Sequence, residues 1–150
     1  MLVRVPLAVV LALGFAVPVV AEDKKAEADL KAMVGNWTVQ KAELGGKDIT
    51  EHLKVLKFEV RAGGKYTAQV GEQKDDGAFT IDTGKTPKQM TVKPTAGPNK
   101  GQTVKAIYKI DADTFTICYD HEADKGDYPK AFETKPDTTL LLVVYTREKK

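Results

Sequence analysis

Hydrophobic and polar residues alternate with a period of two through most of the chain after residue 34, the pattern of half-buried antiparallel strands. Short runs, such as the one holding Leu56, Phe58 and Val60, are separated by glycine-rich or polar turns, among them one expected over residues 71–77. The run 140–144 is hydrophobic on both faces, as expected of a strand that is covered on both sides. The spacing predicts about eight strands, with a further edge strand near Phe132.

The short connections and the lack of a helical crossover pattern favour an all-β fold, an antiparallel up-and-down barrel. Closure of such a barrel leaves no exposed sheet edge. A two-sheet sandwich is the main alternative. Residues 26–33 have a helix-forming composition, so we expect a short helix over one barrel end that stops at Gly35. The predicted domain is therefore 35–150, preceded by a linker and short helix over 22–34.

The N-terminal residues 1–21 have the features of a secretory signal peptide. Arg4 supplies the positive charge, residues 7–17 the apolar segment, and Ala21 a small residue at the cleavage position. This pattern predicts an exported protein, periplasmic or extracellular, with no membrane span after cleavage. An N-terminal anchor that is retained is the alternative.

The charge distribution and the cysteine content argue against a nucleic-acid partner and an intramolecular disulfide. The formal net charge is +2, and loss of Arg4 with the signal peptide would lower it by one. Because the lysines are scattered, we expect no nucleic-acid partner, which would require a concentrated basic face. Cys118 is the only cysteine, so an intramolecular disulfide is impossible. We expect a small packed thiol there, with an intermolecular disulfide as the alternative.

Two motifs at opposite ends of the domain resemble the signature of lipocalin-like barrels. Gly35-Asn36-Trp37 opens the first predicted strand, and Arg147 ends the last one. The resemblance implies that the tryptophan closes the barrel floor and that the arginine stacks over its indole ring, a cation–π contact.

The domain as a whole resembles a family of small secreted lipocalin-like domains of unknown function that is common in planctomycete-type bacteria. The most specific part is the loop 97–101, followed by the hairpin at 111–114 and the pair Ile117-Cys118. One departure is Tyr128-Pro129, where the family has Arg-Pro. The resemblance implies a fold and brings no activity with it. The matching segments are Gly35-Asn36-Trp37, Glu43, Gly45-Gly46, Thr86-Pro87-Lys88, Gly97-Pro98-Asn99-Lys100-Gly101, residues 108–114, Ile117-Cys118, Pro129, Phe132 and Arg147.

Strand periodicity yields a hypothetical ligand site inside the barrel. If Trp37 faces inward, a period of two turns Lys41 and Glu43 toward the lumen or its rim. Tyrosine hydroxyls could add polar anchors there. The alternatives are an ion pair at the rim and tyrosines that only pack. The hypothetical ligand-binding residues are Trp37, Val39, Lys41, Glu43, Tyr66, Tyr108 and Arg147, with Tyr119 as a further inward tyrosine.

The sequence contains little that indicates catalysis or metal binding. The acidic loop 120–127 has the spacing of an EF-hand start, but its glycine is one position late and Ala131 stands where a ligand is required. An enzyme would need Cys118, His121 and Glu43 to converge. We therefore predict no enzyme activity, no metal and no cofactor.

Two functions remain open. The first is an exported binding protein for a small hydrophobic or amphipathic ligand held in the barrel. The second is a structural or protein-interaction barrel of the cell envelope, whose lumen is filled by its own side chains and whose partner the sequence does not identify.

Overall fold

Antiparallel strands make up most of the structure, a computed structural model that describes residues 19–122 and 126–149. Residues 1–18, most of the predicted signal peptide, lie outside the described residues. None of the described helices is long and apolar enough to cross a membrane. The elements are α1 (Val19–Met33), β1 (Gly35–Leu44), β2 (Lys47–Asp48), α2 (Thr50–Leu53), β3 (Lys57–Arg61), β4 (Lys65–Val70), β5 (Gln73–Asp82), β6 (Gln89–Ala96), β7 (Val104–Ile110), β8 (Thr114–Asp120) and β9 (Leu140–Arg147).

The sheet closes on itself as an eight-stranded, lipocalin-like barrel. From β3 to β9 each strand pairs with the next in sequence, β1 pairs with both β3 and β9, and the two-residue β2 extends β1. The closing register places Trp37 opposite Arg147 and Leu44 opposite Leu141. The predicted up-and-down barrel is confirmed, because the first and last strands satisfy each other's backbone groups instead of forming two separate sheets.

The barrel has two ends, a floor and a mouth. The floor is the end with the start of β1, the end of β9 and the hairpins at 61–65, 82–89 and 110–114. The mouth is the opposite end, with β2, α2 and the connections at 70–73 and 96–104. The predicted helix at the floor is present and longer than expected, since α1 begins at Val19.

Aromatic rings fill much of the lumen. Their centroids lie 5.0–6.4 Å apart, a range typical of favourable ring pairs. Met33 and Met90 complete the core and are almost fully buried. The rings are those of Trp37, Phe58, Tyr66, Phe79, Phe115 and Tyr145.

Two local predictions were wrong. The turn expected over residues 71–77 is shorter, because β5 already begins at Gln73. Gly77 lies inside this strand. Glycine is required there because a Cβ would sit 2.6 Å from the Tyr66 hydroxyl. The edge strand expected near Phe132 is absent from the described residues. Phe132 instead packs through its ring, which lies 4.9 Å from Lys109 Nζ.

Candidate functional site

The floor of the barrel is closed by Trp37, which is only 1% exposed. Its indole Nε1 donates a hydrogen bond of 2.8 Å to the carbonyl of Met33 at the end of α1. The guanidinium carbon of Arg147 lies 4.3 Å from the indole centroid. The cation–π contact implied by the sequence resemblance is therefore present.

Arg147 also holds the C-terminus of α1. Nη1 donates to the Val34 carbonyl at 2.8 Å, Nη2 to the Ala32 carbonyl at 2.5 Å, and Nε to the Ala112 carbonyl at 3.0 Å. The last carbonyls of a helix have no partner within the helix, so these bonds satisfy groups that would otherwise be unpaired. Gly35 permits the approach, because a Cβ there would lie 2.5 Å from Nη1.

Tyr108 belongs to the floor as well. Its hydroxyl donates to Asp29 Oδ2 at 2.8 Å, and the same oxygen is 2.8 Å from Lys88 Nζ. Burial and the neighbouring Asp29 carboxylate raise the pKa of Tyr108 far above its usual value. The tyrosine predicted as a polar anchor for a ligand thus fastens α1 to the barrel.

The predicted inward orientation of Lys41 and Glu43 is wrong. A β-bulge between Val39 and Lys41 inserts one extra residue against β9, so Gln40 and Lys41 both face outward. Val39 and Ala42 remain on the inner wall, where they pack against the core.

Glu43 consequently lies on the outer surface. Its Oε1 accepts a hydrogen bond of 2.5 Å from the Thr134 hydroxyl, in the segment that crosses the outside of the barrel. Lys41 lines an open groove of about 650 Å³ on the same surface. Charges of both signs line this groove. Lys54 pairs with Glu51, and hydrogen bonds from Thr50, followed by the nearby charge of Lys41, lower the pKa of Asp48.

The mouth half of the lumen contains a carboxylate that the sequence did not single out. Asp75 is opposite Ala68 in the sheet, and Ala68 is opposite Phe58, so all three share the inner face. Asp75 Oδ2 accepts a hydrogen bond of 2.9 Å from Asn99 Nδ2. Among the described residues, Asp75 Oδ1 is the one buried side-chain oxygen or nitrogen without a hydrogen-bond partner.

Two tyrosines share this part of the lumen with Asp75. Burial first, then the Asp75 carboxylate, raises the pKa of Tyr66 to about 12. Burial, followed by Tyr66 and Asp75, raises the pKa of Tyr119 to about 12. Because Asp75 contributes to the raised pKa of both tyrosines, and Tyr66 to that of Tyr119, we group the three as one polar cluster on the inner wall, which we call the mouth cluster (Tyr66, Asp75 and Tyr119).

Six apolar residues in the mouth half of the barrel are only partly buried, although Ala42 and Leu141 in the same half are buried. These six contrast with Met33 and Trp37 at the floor, which are 0% and 1% exposed. Val55 and Val70, on the mouth rim, are 61% and 42% exposed. The partly buried apolar residues of the mouth half are Leu44, Ile49, Leu53, Leu56, Ala68 and Val92.

Cys118 is fully buried on the outer face of β8, as expected of a packed thiol. Its Sγ lies 3.8 Å from the Glu133 carbonyl, and burial raises the pKa of the thiol to about 11. A catalytic thiol requires the opposite shift. Within the described ranges, no three histidine, cysteine or acidic side chains meet in a metal-binding arrangement.

The predicted site residues therefore separate into three places. The floor holds Trp37, Tyr108 and Arg147, and the outer surface holds Lys41 and Glu43. Val39 and Tyr66 remain on the inner wall, and of these only Tyr66 belongs to the mouth cluster.

No protein-family model, curated protein or solved structure matches this chain.

Proposed function

We propose that this chain is an exported, lipocalin-like barrel that binds a small, partly apolar ligand through its mouth. The observation that carries the proposal is the mouth cluster, where the buried Asp75 carboxylate lies beside apolar residues that are only partly buried. Partly buried apolar residues also occur at the floor, but among the described residues only the mouth combines them with a buried carboxylate oxygen that has no hydrogen-bond partner. Ligand pockets combine such apolar walls with a few convergent polar groups.

Two further features support the same proposal. The signal-peptide pattern of residues 1–21 supports export, and the loop 97–101 with its following hairpin supports membership of the secreted lipocalin-like family. Small barrels of eight strands leave room for side chains and at most one small ligand. The aromatic rings already occupy much of that space, so the ligand is limited to the mouth half.

The second candidate is a barrel that binds nothing in its lumen and acts through its surface. The contacts among the six aromatic rings favour it, because they pack the lumen as a protein core. Under this alternative the outer segment around Thr134 and the exposed rim residues would contact a protein partner.

Fluorescence titration with N-phenyl-1-naphthylamine, an uncharged apolar dye, separates the two candidates. The binding proposal predicts saturable enhancement that is lost in Ala68→Phe, which fills the inner wall of the mouth. Lys57→Phe, on the exposed face of β3, is the matched control and should bind normally. Absence of saturable binding in the unmodified protein would favour the filled barrel.

Native mass spectrometry of protein exported from a bacterial host tests the remainder of the proposal. A mass equal to residues 22–150 is expected if the signal peptide is removed after Ala21. An additional mass that leaves on denaturation would identify a ligand acquired in the cell. A retained N-terminus would contradict the processing part of the proposal.

A further inference from the structure

The chemistry of the mouth cluster indicates which ligands the barrel would select. Asp75 Oδ2 is occupied by the Asn99 side chain, whereas Oδ1 is buried and has no partner among the described residues. Buried polar atoms in folded proteins are almost always hydrogen-bonded, so an exception requires an explanation. A hydrogen-bond donor on a bound ligand would be such an explanation.

No basic side chain among the described residues forms an ion pair with the Asp75 carboxylate. Its hydrogen bond comes from a neutral amide, and none of the ion pairs within the described residues includes Asp75. Lys74 and Asp76 flank it in sequence, and strand alternation places both on the opposite, outer face. Asp76 is bonded there to the Thr67 hydroxyl at 2.5 Å.

Gly97 packs against Asp75 Oδ1, where a Cβ would clash with that oxygen. The side chains that interact electrostatically with Asp75 are tyrosines, which do not supply a positive charge. Tyr66 and Tyr119 remain protonated at neutral pH, since the pKa of each is raised to about 12. The site is therefore negative, and it lies beside the partly buried apolar wall that includes Ala68 and Val92. A negative, water-poor site favours a cation that can donate a hydrogen bond and disfavours an anion.

We propose that the mouth selects amphiphiles with a primary ammonium head group, whose N–H donates to Asp75 Oδ1 while the apolar chain lies along the inner wall. This inference rests on the proposed binding function and specifies its ligand class. A metal ion is a poor alternative occupant, because no second carboxylate, histidine or cysteine joins Asp75 in a metal-binding group within the described residues.

The test is competition for the bound naphthylamine dye by three ten-carbon probes that differ only in the head group: decylammonium, decanol and decanoate, each below its micelle concentration. We expect decylammonium to compete at least about tenfold better than decanol, as a charge-assisted hydrogen bond allows. Decanoate should be the weakest competitor.

Two substitutions on the same strand make the test specific. Asp75→Asn should lose the preference for decylammonium over decanol, whereas Asp75→Glu should keep part of it. Asp76→Asn removes a carboxylate from the outer face and should retain the full preference. Circular dichroism and the fluorescence of Trp37 verify that each variant is folded.

The outcomes distinguish this inference from the proposed function. If the dye binds and the three probes compete equally, or if Asp75→Asn keeps the preference, the ammonium inference is overturned while ligand binding stands. If the dye does not bind, calorimetric titration with decylammonium decides, and the absence of binding heat overturns the inference together with the proposed function.

Discussion

The two ends of the barrel differ in the hydrogen bonding of their buried polar groups. At the floor, Trp37 Nε1, the Arg147 guanidinium and the Tyr108 hydroxyl all bond to α1. At the mouth, Asp75 Oδ1 is buried and has no hydrogen-bond partner among the described residues. Complete pairing characterises a structural element, whereas an unpaired group is kept in a protein chiefly where it has a function. The floor thus accounts for stability, and the mouth is where we place binding.

The strongest test of the floor is Trp37→Ala. Removing a fully buried tryptophan should lower the free energy of unfolding by about 3–5 kcal/mol. Urea unfolding followed by circular dichroism measures this, since Trp37 is the only tryptophan and its fluorescence is lost with it. Val55→Ala at the exposed rim is the control, and a loss below about 1 kcal/mol in Trp37→Ala would contradict a sealed floor.

Arg147→Met tests whether the arginine fastens α1. It removes the cation–π contact and leaves helix-end carbonyls without partners, so we expect a loss of about 2–3 kcal/mol. Amide hydrogen exchange in α1 should accelerate in the same variant. Lys149→Met, at an exposed position of the same terminus, is the control. Unchanged exchange in α1 would show that the helix is held by other contacts.

The same substitution at the two ends should have opposite effects. Asp29→Asn weakens bonds to Lys88 and Tyr108 and should cost about 1–2 kcal/mol. Asp75→Asn removes a buried charge that has no opposite partner, so stability should stay constant or rise by about 0.5 kcal/mol. Urea midpoints of the two variants measure the contrast. A clear loss of stability in Asp75→Asn would mean that the carboxylate has a structural role.

High pH should weaken the fold through the mouth tyrosines. Tyr66 and Tyr119 have pKa values of about 12 in the folded protein, above the ordinary value of about 10. The fold therefore favours the protonated phenol, and this contribution is fully present below pH 10 and lost as the pH rises through 12. Each tyrosine should cost about 1 kcal/mol at pH 11.

Urea midpoints at pH 9 and pH 11 measure this effect. Tyr119→Phe should show a smaller fall than the unmodified protein, because phenylalanine does not ionise and lysine deprotonation is common to both. An equal fall in the two proteins would mean that Tyr119 ionises as readily in the fold as in water.

The floor could be predicted from the sequence, because its residues occupy defined places in the strand pattern. Trp37 follows the glycine that opens β1, and Arg147 ends the last strand, so up-and-down closure brings them together. The partner of Tyr108 could not be predicted, since Asp29 lies on a helix 79 residues away in sequence. The hydrogen bond between Tyr108 and Asp29 depends on how α1 packs against the barrel floor.

The period-two pattern could not predict that Lys41 and Glu43 lie on the outer surface. The bulge after Val39 results from the way β1 pairs with β9, and no glycine or proline marks it in the sequence. One extra residue places every later side chain of the strand on the face opposite to the one that strict alternation predicts. Strict alternation therefore holds for Trp37 and Val39 and fails beyond them.

Asp75 was missed because its surroundings resemble a turn. Gly71 and Gly77 bracket a polar segment, which is the usual signal for a loop. In the structure Gly77 is a strand residue whose missing side chain makes room for the Tyr66 hydroxyl. The contact between Gly77 and Tyr66 is formed only on folding. The sequence alone therefore does not show that the first residues of β5 face the lumen.

If the two ends of the barrel have separate roles, a ligand must bind at the mouth and leave the floor unchanged. Nitrogen-15 chemical-shift mapping during titration with decylammonium tests this requirement directly. We predict saturable shifts at the amides of Ala68, Asp75, Gly97 and Tyr119, with the Trp37 indole N–H unchanged. Shifts centred on Trp37, or the absence of saturable shifts anywhere, would contradict the division of the barrel into a structural floor and a binding mouth.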